Sequence, residues 1–407
     1  MEARTSTAQH ADPSRPAKSA ITLAGGCVNP IRLRGFQQRI AADTGELISM
    51  LGSADGTGVL VVACKDRRAS CCPACARLYE RDAYQLVAAG LRGGKSVPKS
   101  VGTHPAVMVT LTAPSFGAVH GNRDHNQPCR CGCRHDDDDP QIGTAINPAN
   151  YRYTEQVIWN RYASELWKRT ILAIRRHLAQ ALGVPRSELA RTARVRFLKV
   201  AEFQRRGVVH YHAIVRVDGP GGLDDQPPRQ CTTAALEKVV VAAAEVASVT
   251  LSDALSEAAP GMSPKLRWGT QREIVGLDPT TSTVAAGYIA KYTTKATETA
   301  TAGTLVKPIR TASSLVRLPG PDHPRAIITA AWTLGERTGD DAFKRWAHQF
   351  AYGGHAITKS HGYSVTFTAL RRARADWHDQ ASETGEVIVR KQLTYAGRGH
   401  TTSRGPQ

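Results

Sequence analysis

Residues 208–217 read VVHYHAIVRV, an apolar β-branched run carrying two histidines one residue apart. Side chains alternate faces along a strand, so His210 and His212 emerge on one side, about 6–7 Å apart at their backbones. Two imidazoles so placed suit a single metal ion, although a short His-x-His string also arises by chance on exposed strands. The preceding run RVRFLKVAE, residues 194–202, is a second strand, and Gln204-Arg-Arg-Gly207 is a tight basic turn, so the two strands form a β-hairpin. The hairpin carries Glu202 toward the histidines. Two imidazoles and one carboxylate make a three-ligand set with open positions, suited to Mg²⁺ or Mn²⁺ assisted by phosphate oxygens of a substrate. A plain surface carboxylate is the alternative for Glu202.

Cysteines are the second chemical feature. There are nine, and eight fall outside the lone early residue Cys27. Cys72-Pro-Ala-Cys75 is a C-x-x-C knuckle that presents two thiolates to one tetrahedral zinc. Cys27 and Cys64 could complete four sulfurs, with Cys71 spare or substituting; clustered thiols in a reducing compartment read as ligands rather than disulfides. Cys129, Cys131, Cys133 and His135 suggest a second site, but C-x-C-x-C crowds three ligands, and the four aspartates from Asp136 read as a solvated loop. Tyr288 and Tyr292 stand four apart in AAGYIAKYTTK and therefore stack on one helix face, with Lys291 and Lys295 adjacent. For that pattern taken alone, ordinary packing of an amphipathic helix is the better explanation.

The elements that position these groups alternate between strands and helices. Short β-type runs span residues 21–62, a helix follows over 77–91, and PAVMVTLT at 105–112 is a buried strand ending in threonines. A turn-rich insertion occupies about 117–150. One long amphipathic helix covers Glu155 to Leu182, its stripe including Ile158, Leu166, Ile171, Ile174 and Leu178, and Gly183 and Pro185 end it. A single helix is expected over 233–258, a strand over 265–275, the tyrosine helix over 283–297, a helix over 326–349, a strand over 363–368 and then the basic helix LRRARADWHD. GLRGGKS at 90–96 is not a phosphate loop, because Ala89 stands where the required first glycine belongs and a helix precedes it. No nucleotide cofactor is expected.

Lys and Arg number 53 against 35 Asp and Glu, a formal net charge of +18 spread along 407 residues. Such charge favours a polyanionic partner, nucleic acid first and an anionic membrane second. No apolar stretch reaches the ~20 residues needed to span a bilayer, and no apolar core of a signal peptide is present, so a cytoplasmic location is expected.

A strand ending in threonines, a His-x-His strand and a Tyr/Lys helix, in that order, resemble the three motifs of the HUH endonucleases. The blocks GGCVNPIRLRG, RRASCCPAC, HPAVMVTLTAPSFG, VAEFQRRGVVHYHAIVR, AAGYIAKYTTKATE and FAYGGHAITKS together resemble the rolling-circle plasmid replication initiators of actinomycetes, from about Ile21 to Trp377. The resemblance implies an α+β fold: an HUH core of antiparallel sheet flanked by helices, an N-terminal cysteine-rich zinc region and a basic C-terminal region. The implied divisions are a disordered tail over 1–20, the zinc region over 21–100, the core over 101–300, the basic DNA-binding region over 301–394 and a disordered tail over 395–407. It implies Tyr292 as nucleophile with Lys291 beside it, His210, His212 and Glu202 as ligands of Mg²⁺ or Mn²⁺, and Cys27, Cys64, Cys72 and Cys75 as the structural zinc set, since relatives commonly lack a cysteine before the knuckle. Some related initiators carry a water-activating glutamate where Tyr288 stands, so Tyr288 implies a second transesterification or a supporting role. Other members carry a further cysteine pair where this chain reads INPANYRY, which leaves the Cys129–Cys133 cluster short of partners.

The implied activity is site-specific nicking of one strand of plasmid origin DNA, single-stranded at the nick, leaving a 5′-phosphotyrosine and a 3′-OH primer and rejoining the strand after synthesis. Partners are a host helicase and DNA polymerase, and Arg205, Arg206, Lys295, Arg371 and Arg372 are the expected phosphate contacts. Two rivals are a non-catalytic zinc DNA-binding regulator and a relaxase or single-strand transposase with the same core.

Overall fold

In the computed structural model, described over residues 25–52, 58–121, 128–294, 307–380 and 387–400, the chain divides into two units. The first comprises the stretch up to Arg77 together with residues from Asp379 onward, and the second runs from Leu78 to His378. The expected 1–20 tail and Lys295 lie outside the described residues.

The smaller unit is built on one long strand, β1 (Ile31–Ala41), followed by β2 (Leu47–Gly52) and β3 (Val59–Val62). The two short strands share one edge of β1: Ile31–Arg34 pair with Val62–Val59, and Phe36–Ile40 pair with Gly52–Leu47. The other edge pairs along its length with the C-terminal strand Val387–Arg398. At the junction sits Gly35 (φ +124°), where a Cβ would collide with the Gln392 carbonyl, so only glycine allows the strands to approach. The strand Val387–Arg398 takes in residues 387–394 of the expected C-terminal basic region and residues 395–398 of the expected tail, of which residues 401–407 lie outside the described residues. Its solvent-facing composition hides the pairing, because most of its side chains are exposed.

In the larger unit, helix α1 (Pro73–Arg92) contributes its residues from Leu78 onward and leads to β4 (Ala106–Leu111). Helix α2 (Tyr153–Ala181) is the expected long amphipathic helix; Gly183 (φ +67°) turns the chain out of it. The hairpin β5 (Arg194–Phe203) and β6 (Val209–Asp218) follows, then α3 (Thr233–Val246), the short pair β7 (Val249–Thr250) and β8 (Lys265–Leu266), β9 (Arg272–Leu277), α4 (Thr281–Tyr292), α5 (Asp322–Thr338), β10 (Ile357–Lys359) and α6 (Phe367–Gln380). One antiparallel sheet organises them in the order β10-β5-β6-β4-β9. Every residue of central β6 is buried, as expected of a β-branched strand covered on both faces. Val109, Leu111, Ala201, Tyr211 and Ala213 on one face pack against α2, α3 and α5. Val200 and Ile214 on the other face pack against α1 and α4.

Several expected elements differ. The helix expected over 233–258 breaks after Val246, where Val249 and Leu251 turn into the core and a two-residue strand forms. Residues 363–368 are not a strand: Thr366 Oγ1 accepts the Ala369 N–H (3.0 Å) and starts α6, and the strand pairing with β5 is Ile357–Lys359. The expected boundary at residue 300 lies outside the described residues; beyond it, α5 packs on α2 and β10 extends the main sheet.

Candidate active site

The β5–β6 turn closes through Gln204 N–H to Val208 O (2.9 Å) and Gly207 N–H to Gln204 O (2.8 Å), with Gly207 at φ +75°. That closure sets the register: Glu202 pairs with His210 and Val200 with His212. All four side chains therefore share the face that α4 covers. His210, His212 and Glu202 are 9%, 2% and 8% exposed. The Glu202 carboxylate reaches diagonally across the pair, placing Oε2 3.1 Å from His212 Nε2.

The neighbouring strand β4 and the residue that follows it supply two hydroxyls. Thr110 lies opposite His212 in the β4–β6 ladder. Its Oγ1 is 3.4 Å from His212 Nδ1, and Thr112 Oγ1 is 3.1 Å from His210 Nδ1. A hydroxyl on one ring nitrogen fixes the imidazole's rotation and leaves the other nitrogen able to bind a metal. The sequence marks Thr110 and Thr112 as a period-two pair at a strand end, but the bonds to the histidines depend on a register between strands about 100 residues apart. Burial and the His212 ring beside it push the His210 imidazole down to about 4, so His210 is neutral at physiological pH.

Helix α4 brings the tyrosines. Asp278 anchors its start by accepting the N–H groups of Thr280 and Thr281 (both 2.8 Å), and these threonines hold its carboxyl near 2. Ala285, Ala286, Ile289 and Ala290 face the sheet. Tyr288 and Tyr292 sit four apart on the adjoining face, their ring centroids 4.8 Å apart. The Tyr292 ring stacks on His212 at 4.3 Å and 22°, and the Tyr288 ring meets His212 edge-on at 5.2 Å. Burial, then the hydrogen bond and charge of Tyr288, then the charge of Glu202, raise the Tyr292 phenol above its ordinary range. Lys291 is exposed on the last turn.

Among the expected phosphate contacts, Arg205 is exposed at the hairpin turn and donates to Asp137 O (2.7 Å). Arg206 is half-buried and donates to Gln204 Oε1 (2.9 Å). Arg371 and Arg372 are exposed on α6.

In the smaller unit, the four sulfurs of Cys27, Cys64, Cys72 and Cys75 lie within 4.8 Å of one another. The β1–β3 register explains the first two: Ile31 pairs with Val62, so the residues just before β1 and just after β3 meet. Cys64 and Cys75 sulfurs are 3.6 Å apart and those of Cys72 and Cys27 3.7 Å, near the edge of about 3.8 Å that a tetrahedron of 2.3 Å zinc–sulfur bonds requires. This cluster is capable of zinc-type coordination, and Cys71 is not one of the four. A second group, absent from the sequence reading in this form, joins His120, Cys129, Cys131 and His135. Among the described residues these are the two groups of three or more possible ligands gathered within 4.8 Å; Glu202, His210 and His212 are in contact but less tightly gathered.

No helix among the described residues is long and apolar enough to cross a membrane. The family model for "Replication initiator protein, pSAM2" (RepSA) matches residues 14–406. A replication initiator protein of Streptomyces ambofaciens is 40% identical over 400 residues, covering 94% of this chain and 86% of that protein. No solved structure matches. With the match running almost end to end, the chain belongs to the RepSA family of replication initiator proteins.

Proposed function

We propose that this chain initiates plasmid replication by nicking one strand of the origin, with Tyr292 as the nucleophile. The observation that carries this reading is the stack of Tyr292 on His212, which puts a phenol beside Glu202, His210 and His212 on one sheet face. The Tyr292 Oη attacks the scissile phosphorus, the P–O3′ bond breaks, and the chain remains on the 5′ phosphate. The freed 3′ oxygen takes up a proton, balancing the one lost by the tyrosine. A polymerase extends the 3′-OH while a helicase opens the duplex. Later attack by a 3′-OH on the phosphotyrosine restores the diester without ATP.

Because its surroundings hold the Tyr292 phenol protonated, proton loss needs assistance. Glu202, His210 and His212 fit a divalent ion: Glu202 Oε2 and His212 Nε2 converge, and both histidines have a threonine hydroxyl on the other ring nitrogen. Mg²⁺ or Mn²⁺ held by these three residues would neutralise charge on the scissile phosphate. Lys291 serves to stabilise the tyrosinate or the phosphate, and Tyr288 supports Tyr292 or carries a second transesterification. Arg205, Arg206, Lys295, Arg371 and Arg372 contact the DNA backbone, and zinc on Cys27, Cys64, Cys72 and Cys75 holds the smaller unit.

The test uses supercoiled plasmid bearing the origin, Mn²⁺, the wild type and Tyr292→Phe. Nicking by the wild type alone, with the covalent adduct mapped to Tyr292 by mass spectrometry, is the expected result. Undiminished nicking by the variant, or none by the wild type, overturns the assignment and leaves a non-catalytic zinc DNA-binding regulator.

A further inference from the structure

The insertion between β4 and α2 has almost no apolar interior. Of its described residues from Gly117 to Asn150, only Cys129, His135, Gly143 and Ala145 are buried. Two of these four are thiol and imidazole, an unusual pair to bury in a loop without a use for them. Around them the backbone is well specified. Val119 and Ala145 form a bridge, with His120 N–H donating to Thr144 O (2.9 Å) and Gly143 N–H donating to His120 O (2.8 Å). Cys129 N–H donates to Cys133 O and Gly132 N–H to Cys129 O (both 2.9 Å), folding Cys129–Cys133 into a turn in which Gly132 takes φ +89°.

These two features deliver four donor atoms to one point. His120, Cys129, Cys131 and His135 each offer an atom, all within 4.8 Å of one another. His120 Nδ1 lies 3.2 Å from His135 Nε2, and Cys131 Sγ lies 3.3 Å from the same nitrogen. Bond lengths of about 2.0–2.1 Å to nitrogen and 2.3 Å to sulfur require tetrahedral edges of roughly 3.3 Å (N–N) and 3.6 Å (S–N), close to both distances. The outer contacts also have the form that a ligand set needs. Asp139 Oδ2 takes His135 Nδ1 at 2.6 Å, which leaves Nε2 to face the other donors. Sulfur charge is met by backbone N–H groups, Gly121 to Cys129 Sγ and Cys133 to Cys131 Sγ (both 3.4 Å).

We propose that His120, Cys129, Cys131 and His135 bind a zinc ion that closes this insertion. Two thiolates with two imidazoles select zinc over the hard oxygen-seeking cations. Cys133 is exposed and stands outside the four gathered donors, so it is not counted as a ligand. The ion fixes more than the loop. Gly143 lies so close to Arg205 that a Cβ there would collide with it, and Arg205 donates to Asp137 O within the insertion. The closed loop thus forms one wall of a cleft of about 510 Å³ lined by Pro114, Arg130, Gln204, Arg205, Arg206 and Gln271. Ala113, which lines the cleft, is the chain neighbour of Thr112 with its bond to His210, so the cleft borders the site where the strand is to be cut. Only this last role, guiding the DNA backbone, rests on the nicking reading; the metal site does not.

The test measures metal in the full chain, purified from zinc-supplemented medium and dialysed against a weak chelator. Cys129→Ser/Cys131→Ser and His120→Ala/His135→Ala should each carry one zinc fewer than the wild type, and Cys133→Ser should match it. Equal zinc in all four proteins, or loss in Cys133→Ser as large as in the paired variants, overturns the proposal. Zinc-edge X-ray absorption on the wild type needs no variant to fold: both nitrogen and sulfur are expected in the first shell. A sulfur-only shell, or zinc-free wild type, overturns it.

Discussion

The ring of Tyr292 lies over that of His212, centroids 4.3 Å apart and planes 22° from parallel, while His212 Nε2 stands 3.1 Å from Glu202 Oε2. The stack restrains the phenol next to the group it is proposed to act with, but the same enclosure raises its pKa above the ordinary range. A nucleophile protonated at neutral pH reacts through its small ionised fraction. The nicking rate of the wild type should therefore climb about tenfold per pH unit between roughly pH 7 and 9 when proton loss limits the step. Single-turnover nicking across that range checks this, and a flat profile shows that another step limits. Tyr288→Phe should retain the first cut, because the stack on His212 belongs to Tyr292.

The two threonines at the end of β4, Thr110 within it and Thr112 just beyond it, give a sharper probe than the histidines themselves. Thr112→Val removes the hydroxyl on His210 Nδ1 at nearly constant shape. Loss of such an outer partner typically costs 10–100-fold in metal affinity or activity. The variant should need about that much more Mn²⁺ for half-maximal nicking while melting close to the wild type. Recovery of rate at high Mn²⁺ distinguishes a positioning role from damage to the fold.

What the sequence made legible here follows from the range of the interactions. Glu202 could be placed near His210 because a tight turn fixes a hairpin register locally. The bonds from Thr110 and Thr112 could not, since β4 reaches β6 only after the insertion and α2 have intervened. His120 joins Cys129, Cys131 and His135 through a bridge between Val119 and Ala145, and nothing in the string VHG marks it. The strand Val387–Arg398 is hidden for the same reason: its partner β1 lies at the opposite end of the chain, and most of its own side chains are exposed. Periodicity found α2 because twenty-nine helical residues repeat one pattern, whereas the three-residue β10 gives no pattern to read.

A buried lysine makes the core pH-sensitive. Lys199 on β5 is 3% exposed, its Nζ 3.8 Å from the centre of the Tyr211 ring, and burial pulls its pKa from 10.5 down to about 7. Between about pH 7 and 10.5 the unfolded chain holds a proton that the folded chain has lost. Stability from this group therefore rises with pH across that window, by at most about 1.4 kcal/mol per unit, and is level below it where both states are protonated. Lys199→Met should raise the melting temperature at pH 7 and flatten the pH dependence above it. An unchanged slope in the variant assigns the dependence to other groups.

Asp218 is shifted in the same direction, but by its partners against its burial, and its window lies at acid pH. Its carboxylate accepts from Arg216 Nε (2.7 Å) and Nη2 (3.0 Å) and from Arg196 Nε (3.2 Å), and pairs with His104 Nδ1 at 2.9 Å, with Arg216 fully buried. Hydrogen bonds from His104 and Arg216 outweigh burial and hold the carboxyl below its usual range. That contribution is present above the unfolded carboxyl pKa near ~4 and is lost as pH falls through the lower folded value. Asp218→Ala leaves the Arg216 guanidinium buried without its partner, a change that costs about 3–5 kcal/mol in comparable buried pairs. Chemical denaturation should show that loss at pH 7. Replacing the pair together, Arg216→Met with Asp218→Ala, should recover a large part of it, because no stranded charge remains. If the double variant is as unstable as the single, packing of the arginine against Tyr363 carries the effect instead of the charge.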